Sequence, residues 1–84
     1  ILAAEVNHQK LILVGVAVIN FQVLVPDNSK TIVIHGENDE IIPITDAFDW
    51  GRIHNQPIVW VPNTGHFFHG RLAILQNIIN NFVH

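Results

Sequence analysis

The chain has 84 residues, 49% of them apolar and only 13% charged, whereas globular domains are typically about a quarter charged. A formal net charge of −3 and only four basic residues, Lys10, Lys30, Arg52 and Arg71, argue against nucleic acid as a partner. Cysteine is absent, which excludes disulfides and thiolate metal sites and fits a cytoplasmic protein.

A single domain over residues 1–84 is all this length allows. Such a chain buries about 60–65% of its unfolded surface and has marginal stability. Its low charge suits a piece from the interior of a larger α/β protein. The first residues, Ile1-Leu2-Ala3-Ala4, and the absence of methionine suggest truncation or processing. The longest apolar run, Leu11 to Ile19, contains Gly15 and is about half the length of a membrane-spanning helix. No secretory signal is visible, and no membrane association is expected.

In chain order, Ile1 to Gln9 reads as the tail of a helix, with Leu2, Ala3, Ala4 and Val6 apolar and Glu5, Asn7 and His8 polar. Leu11 to Val18 is apolar throughout, as expected for a strand covered on both faces of a parallel sheet. Asn20 to Lys30 reads as a connection dense in turn formers at Pro26-Asp27-Asn28-Ser29. Val23-Leu24-Val25 within it fits a helical or an extended segment equally well. Thr31-Ile32-Val33-Ile34 is β-branched and reads as a second buried strand. His35 to Ile42 is a polar loop, followed by a helix from Pro43 to about His54, with Ile44, Ala47, Phe48 and Ile53 at helical spacing. Pro57 to Val61 is a third strand and Pro62-Asn63-Thr64-Gly65 a loop. The last helix runs from Arg71 to Val83, with Leu72, Leu75, Ile78, Ile79 and Phe82 on one face. Strands alternating with helices imply an α/β fold with a parallel sheet and right-handed crossovers. No internal repeat is apparent.

Chemistry in open α/β sheets gathers at the carboxyl ends of the strands. Asp39 lies just past the second strand and His66 just past the third. If those strands are neighbours, His66 can act as general base and Asp39 can hold its tautomer. The order acid then base is that of the last two members of a Ser–Asp–His triad. The first member requires a G-x-S-x-G turn, which this sequence lacks; its only serine, Ser29, stands before a strand, at the opposite end from His66.

Each candidate has a plainer reading. Asp39 could cap a turn, and Glu37, Glu40 and Asp46 compete for the acid role. His66 could be an ordinary loop histidine. His35 suits a structural hydrogen bond to the loop. His66-x-x-His69 with Asp39 or His35 would supply nitrogen and oxygen metal ligands, but no H-E-x-x-H pattern supports a metal. Phe67 and Phe68 could line an acyl pocket or belong to the core. His69 and Arg71 are placed at the start of the last helix, shaping a pocket wall. Trp50 and Trp60 read as packing residues.

The segment His35-Gly36-Glu37-Asn38-Asp39-Glu40-Ile41-Ile42-Pro43 resembles the acid loop of α/β-hydrolases. Gly65-His66-Phe67-Phe68-His69-Gly70-Arg71-Leu72 resembles the histidine loop of a small, lidless bacterial group close to the dienelactone hydrolases and serine esterases. The resemblance runs from about Lys30 to the C-terminus. It implies the C-terminal portion of a three-layer α/β-hydrolase fold, with Asp39 and His66 catalytic, Phe67, Phe68 and His69 against the substrate, an ester-like small molecule as substrate and no cofactor. Ile1 to Ala4 would belong to the helix after the nucleophile elbow. The nucleophile and the oxyanion-hole donors would lie upstream.

Three functions follow: part of an acyl hydrolase, an inert self-associating or complementing module, or a small metal- or ligand-binding domain. The second arises because Leu11 to Val18 would lack a neighbour strand, and an apolar open edge invites pairing. A homo-oligomer, or association with the missing N-terminal part through that strand, is the corresponding expectation.

Overall fold

The computed structural model describes residues 2–6, 10–15 and 30–83. Among these residues, four strands and two helices occur in the order β1 (Leu2–Val6), β2 (Lys10–Val14), β3 (Thr31–Gly36), α1 (Ile44–His54), β4 (Ile58–Val61) and α2 (Leu72–Val83). The sheet order is β1-β2-β3-β4. β2, β3 and β4 are parallel, with Leu13 opposite Val33 and Val33 opposite Ile58.

The unbroken apolar runs divide by parity into two cores, because successive strand residues face opposite sides. Ile12, Val14, Ile34 and Val61 pack on one face with Phe68, against Leu75, Ile78, Ile79, Phe82 and Val83. Leu13 and Val33 pack on the other face against Trp50 of α1, with Leu11 and Ile58 at the margin. Helices therefore cover both faces, giving the expected three-layer α/β arrangement. Burying each of the larger aliphatic side chains stabilises the fold by about 1.5–3 kcal/mol.

α1 begins directly after Pro43, which occupies the N-cap position without a side-chain cap. Asp46 in its first turn and Arg52 and His54 in its last match the helix dipole. It ends where Asn55 turns left-handed (φ 55°) and the Gln56 amide bonds the Gly51 carbonyl at 2.8 Å. α2 has no basic residue in its last turn. Lys10 of β2 supplies the cation instead, its Nζ donating to the Phe82 carbonyl at 2.7 Å and lying 5.2 Å from the centre of that ring.

Several expectations need correction. Leu2–Val6 is a strand, antiparallel to β2, with Leu2 opposite Val14 and Val6 opposite Lys10. It is neither a helix tail nor part of a helix after a nucleophile turn. Because β1 covers one side of β2 and β3 the other, the open edge expected at Leu11–Val18 does not exist along Leu11–Val14, and the premise for association through it is lost. β2 ends at Val14, and the rest of that expected strand beyond Gly15 lies outside the described residues, as do Ser29 and Val23-Leu24-Val25. The buried side of α1 is Ala47, Trp50 and Gly51, whereas Ile53 is exposed. Trp50 packs as expected, but Trp60 is largely exposed. On α2, Leu72 turns outward while Leu75, Ile78, Ile79 and Phe82 face the sheet. α2 starts at Leu72, so His69 and Gly70 form a turn before it and not its first residues.

Gly36 ends β3 where two loops meet. A Cβ there would lie 2.3 Å from the Thr64 carbonyl oxygen and 2.8 Å from that of Gly65. Both obstacles are backbone, so neither can swing aside. Gly36→Ala is expected to destabilise the protein by on the order of 2–4 kcal/mol, measured as a lowered midpoint in urea.

Candidate active site

β3 and β4 are adjacent and parallel, so their carboxyl ends open on the same edge of the sheet. The loops that follow are joined by backbone bonds. The Glu37 amide donates to the Val61 carbonyl at 2.9 Å, and the Asn38 amide to the Thr64 carbonyl at 2.9 Å. The Asn63 amide donates back to Glu37 Oε1 at 3.0 Å. Thr64 is buried between the loops, its Oγ1 donating to the Pro62 carbonyl at 3.0 Å.

This junction brings Asp39 to His66. His66 Nδ1 lies 2.7 Å from Asp39 Oδ2, with both side chains buried. The other carboxylate oxygen, Oδ1, accepts the amides of Ile41 at 2.8 Å and Ile42 at 2.7 Å. Burial pushes the Asp39 carboxyl up, but the Ile42 amide, the His66 ring, the Ile41 amide and the charge His66 can carry together hold it below its ordinary value of 3.8. A carboxylate that only accepts requires His66 to carry its proton on Nδ1. Nε2 is then bare, and it is buried with no hydrogen-bond partner among the described residues. An unpartnered buried acceptor has a cost in stability that the rest of the fold must offset.

Gly15, just past β2, forms the floor beneath the pair. Its φ is +59°, and its amide donates to the Ile34 carbonyl at 3.0 Å. A Cβ there would lie 3.4 Å from His66 Cε1 and Nδ1 and 3.8 Å from Asp39 Oδ2. Both the left-handed backbone and the close ring favour glycine. Sequence reading passed over this residue because it lies inside an apolar run.

The two phenylalanines have opposite fates. Phe67 is 62% exposed and meets the His66 ring edge-on, with centroids 4.9 Å apart. With Asn38, Glu40, Ile41, Gly65 and His69 it lines a cleft of about 300 Å³ over His66. Phe68 is 2% exposed and belongs to the core cluster beneath α2. It is therefore not a lining residue, contrary to expectation. Phe68 holds a left-handed φ of 55°, a conformation unfavourable for a bulky residue and sustained only by surrounding packing. Its burial anchors the loop that presents His66.

Of the other acid candidates, Glu37 bonds the Asn63 amide, Glu40 lines the cleft, and Asp46 is in the first turn of α1. Among the described residues no three His, Asp or Glu side chains are grouped to hold a metal ion, and none of the helices is long and apolar enough to cross a membrane.

The three-layer arrangement is that of an α/β-hydrolase fold. Among solved structures the chain is similar to XC6422 from Xanthomonas campestris, a member of the α/β serine hydrolases without a lid. The two are 29% identical, with a TM-score of 0.69, over 89% of this chain and 36% of that one. The chain thus spans about a third of that protein's length. No protein-family model and no curated protein matches the sequence.

The depressed Asp39 carboxyl has a pH consequence. Its contribution to stability is complete above the unfolded value near 3.8 and is lost as pH falls through the lower folded value. Asp39→Asn is expected to cost about 1.5–3 kcal/mol at neutral pH, the range for hydrogen bonds to charged groups. It should also flatten the acid limb of the stability curve, read from urea midpoints between pH 7 and pH 2. An unchanged acid limb would mean that Asp39 is not held as an ion.

Proposed function

We propose that this chain supplies the acid and base of a serine hydrolase that cleaves esters or related acyl compounds. The carrying observation is the His66 ring, bonded through Nδ1 to buried Asp39 and leaving Nε2 buried and unpartnered among the described residues. The reaction would run as follows. A serine hydroxyl, supplied from outside the described residues, attacks the acyl carbon as His66 Nε2 takes its proton. Asp39 keeps Nδ1 protonated and stabilises the imidazolium that results. His66 returns the proton to the leaving group, then activates the water that releases the acyl chain. Phe67, Ile41 and His69 border the cleft where an ester-like small molecule would lie.

The sequence has no G-x-S-x-G turn, and its single serine precedes β3. On this reading the chain is half of an active site and is inert by itself. The nucleophile-bearing part would close over the His66 cleft and not along Leu11–Val14, whose two sides are already paired. No cofactor enters this chemistry.

Two measurements test the reading. The chain alone should hydrolyse an activated ester no faster than its His66→Ala variant. A chimera carrying this chain in place of the aligned part of XC6422 should hydrolyse that ester, and His66→Ala should reduce its rate by about 10³-fold or more. A folded chimera indifferent to His66→Ala would contradict the proposal.

A further inference from the structure

Asp39 has a second histidine against it. His35 is the fifth residue of β3 and is 1% exposed. It shares strand parity with Thr31 and Val33, so its ring lies on the α1 side of the sheet. Its Nε2 is 2.6 Å from the Ile42 carbonyl oxygen and 3.3 Å from Asp39 Oδ2. Both neighbours are acceptors. A carbonyl oxygen cannot donate, so Nε2 must carry the hydrogen. That N–H ties the far end of the acid loop back to β3 and turns its positive end toward the oxygen that holds His66.

The loop needs this tie. Ile42 precedes Pro43, which cannot donate a backbone bond, and α1 begins there with no side-chain cap. The carboxylate of Asp39 is fixed on Oδ1 by the amides of Ile41 and Ile42. Any slip of Ile42 therefore rotates the carboxylate and withdraws Oδ2 from His66 Nδ1. His35 closes the chain of contacts: β3 to Ile42, Ile42 to Asp39, Asp39 to His66.

We propose that His35 is a positioning residue for the Asp39–His66 pair. Through its Nε2–H it sets the place of Ile42 and the orientation of Asp39 Oδ2, and so the tautomer of His66. This rests on the reading of His66 as a general base but makes a separate claim about what keeps it one.

The test is nuclear magnetic resonance of the whole chain with nitrogen-15 in its histidine rings. In the unsubstituted chain, His35 should show a proton on Nε2 protected from exchange, and His66 a downfield proton on Nδ1. His35→Gln, whose amide N–H can reach the Ile42 carbonyl, should retain the His66 signal. His35→Leu should lose it and give a mixture of His66 tautomers. A purely structural His35 would lower the urea midpoint in both variants and leave the His66 tautomer unchanged, which would overturn the proposal. A bare Nε2 on His35 in the unsubstituted chain would overturn it without any variant, even if His35→Leu fails to fold. Absence of the Nδ1 proton on His66 in the unsubstituted chain would instead refute the reading of the site itself.

Discussion

The site depends on a backbone junction: the tight approach of Gly36 to the Thr64 and Gly65 carbonyls. Two parallel strands can be neighbours and still send their loops in different directions. Here the Val61–Glu37 and Thr64–Asn38 bonds hold the loops together as they leave the sheet. Asp39 and His66, which are 27 residues apart in sequence, then meet at 2.7 Å. Any side chain at position 36 would wedge that junction open.

Around this junction, polar groups that would be costly to bury are paired in sequence. Asp39 is desolvated, yet its two oxygens receive two amides and the His66 ring, and these bonds outweigh the burial. The next atom outward, His66 Nε2, is left without a partner among the described residues. A network satisfied at every position but one directs its unmet demand to that position. Gly15 below and Phe67 at the edge restrict what can approach the ring, which lies beside the cleft.

The parallel strands were readable because Val, Ile and Leu runs buried on both faces have no other common explanation at that length. That Asp39 and His66 could meet was readable from their positions just past those strands. Other features were not, for physical reasons. Leu2-Ala3-Ala4-Glu5-Val6 has helix-favouring composition, and pairing with β2, a tertiary effect, overrides that preference. Phe67 and Phe68 are the same residue type side by side, and a left-handed turn at Phe68 decides which enters the core. Trp60 and Trp50 differ likewise: Trp50 packs against Leu13 and Val33, whereas Trp60, on the same α1 side of the sheet as Ile58, is exposed. His35 was expected to bond the loop, and it does, at Ile42; its approach to Asp39 is set by the curl of that loop, which local sequence does not specify.

The most direct measurement is the tautomeric state of His66 in the intact chain, read from its two ring nitrogens with the ring neutral. A proton on Nδ1 and a bare Nε2 is the expected result, because a buried carboxylate at 2.7 Å can only accept. A proton on Nε2, or a free mixture of both forms, would mean that Asp39 does not hold the ring. His66 would then not be a general base, and the hydrolase reading of this site would fall with it.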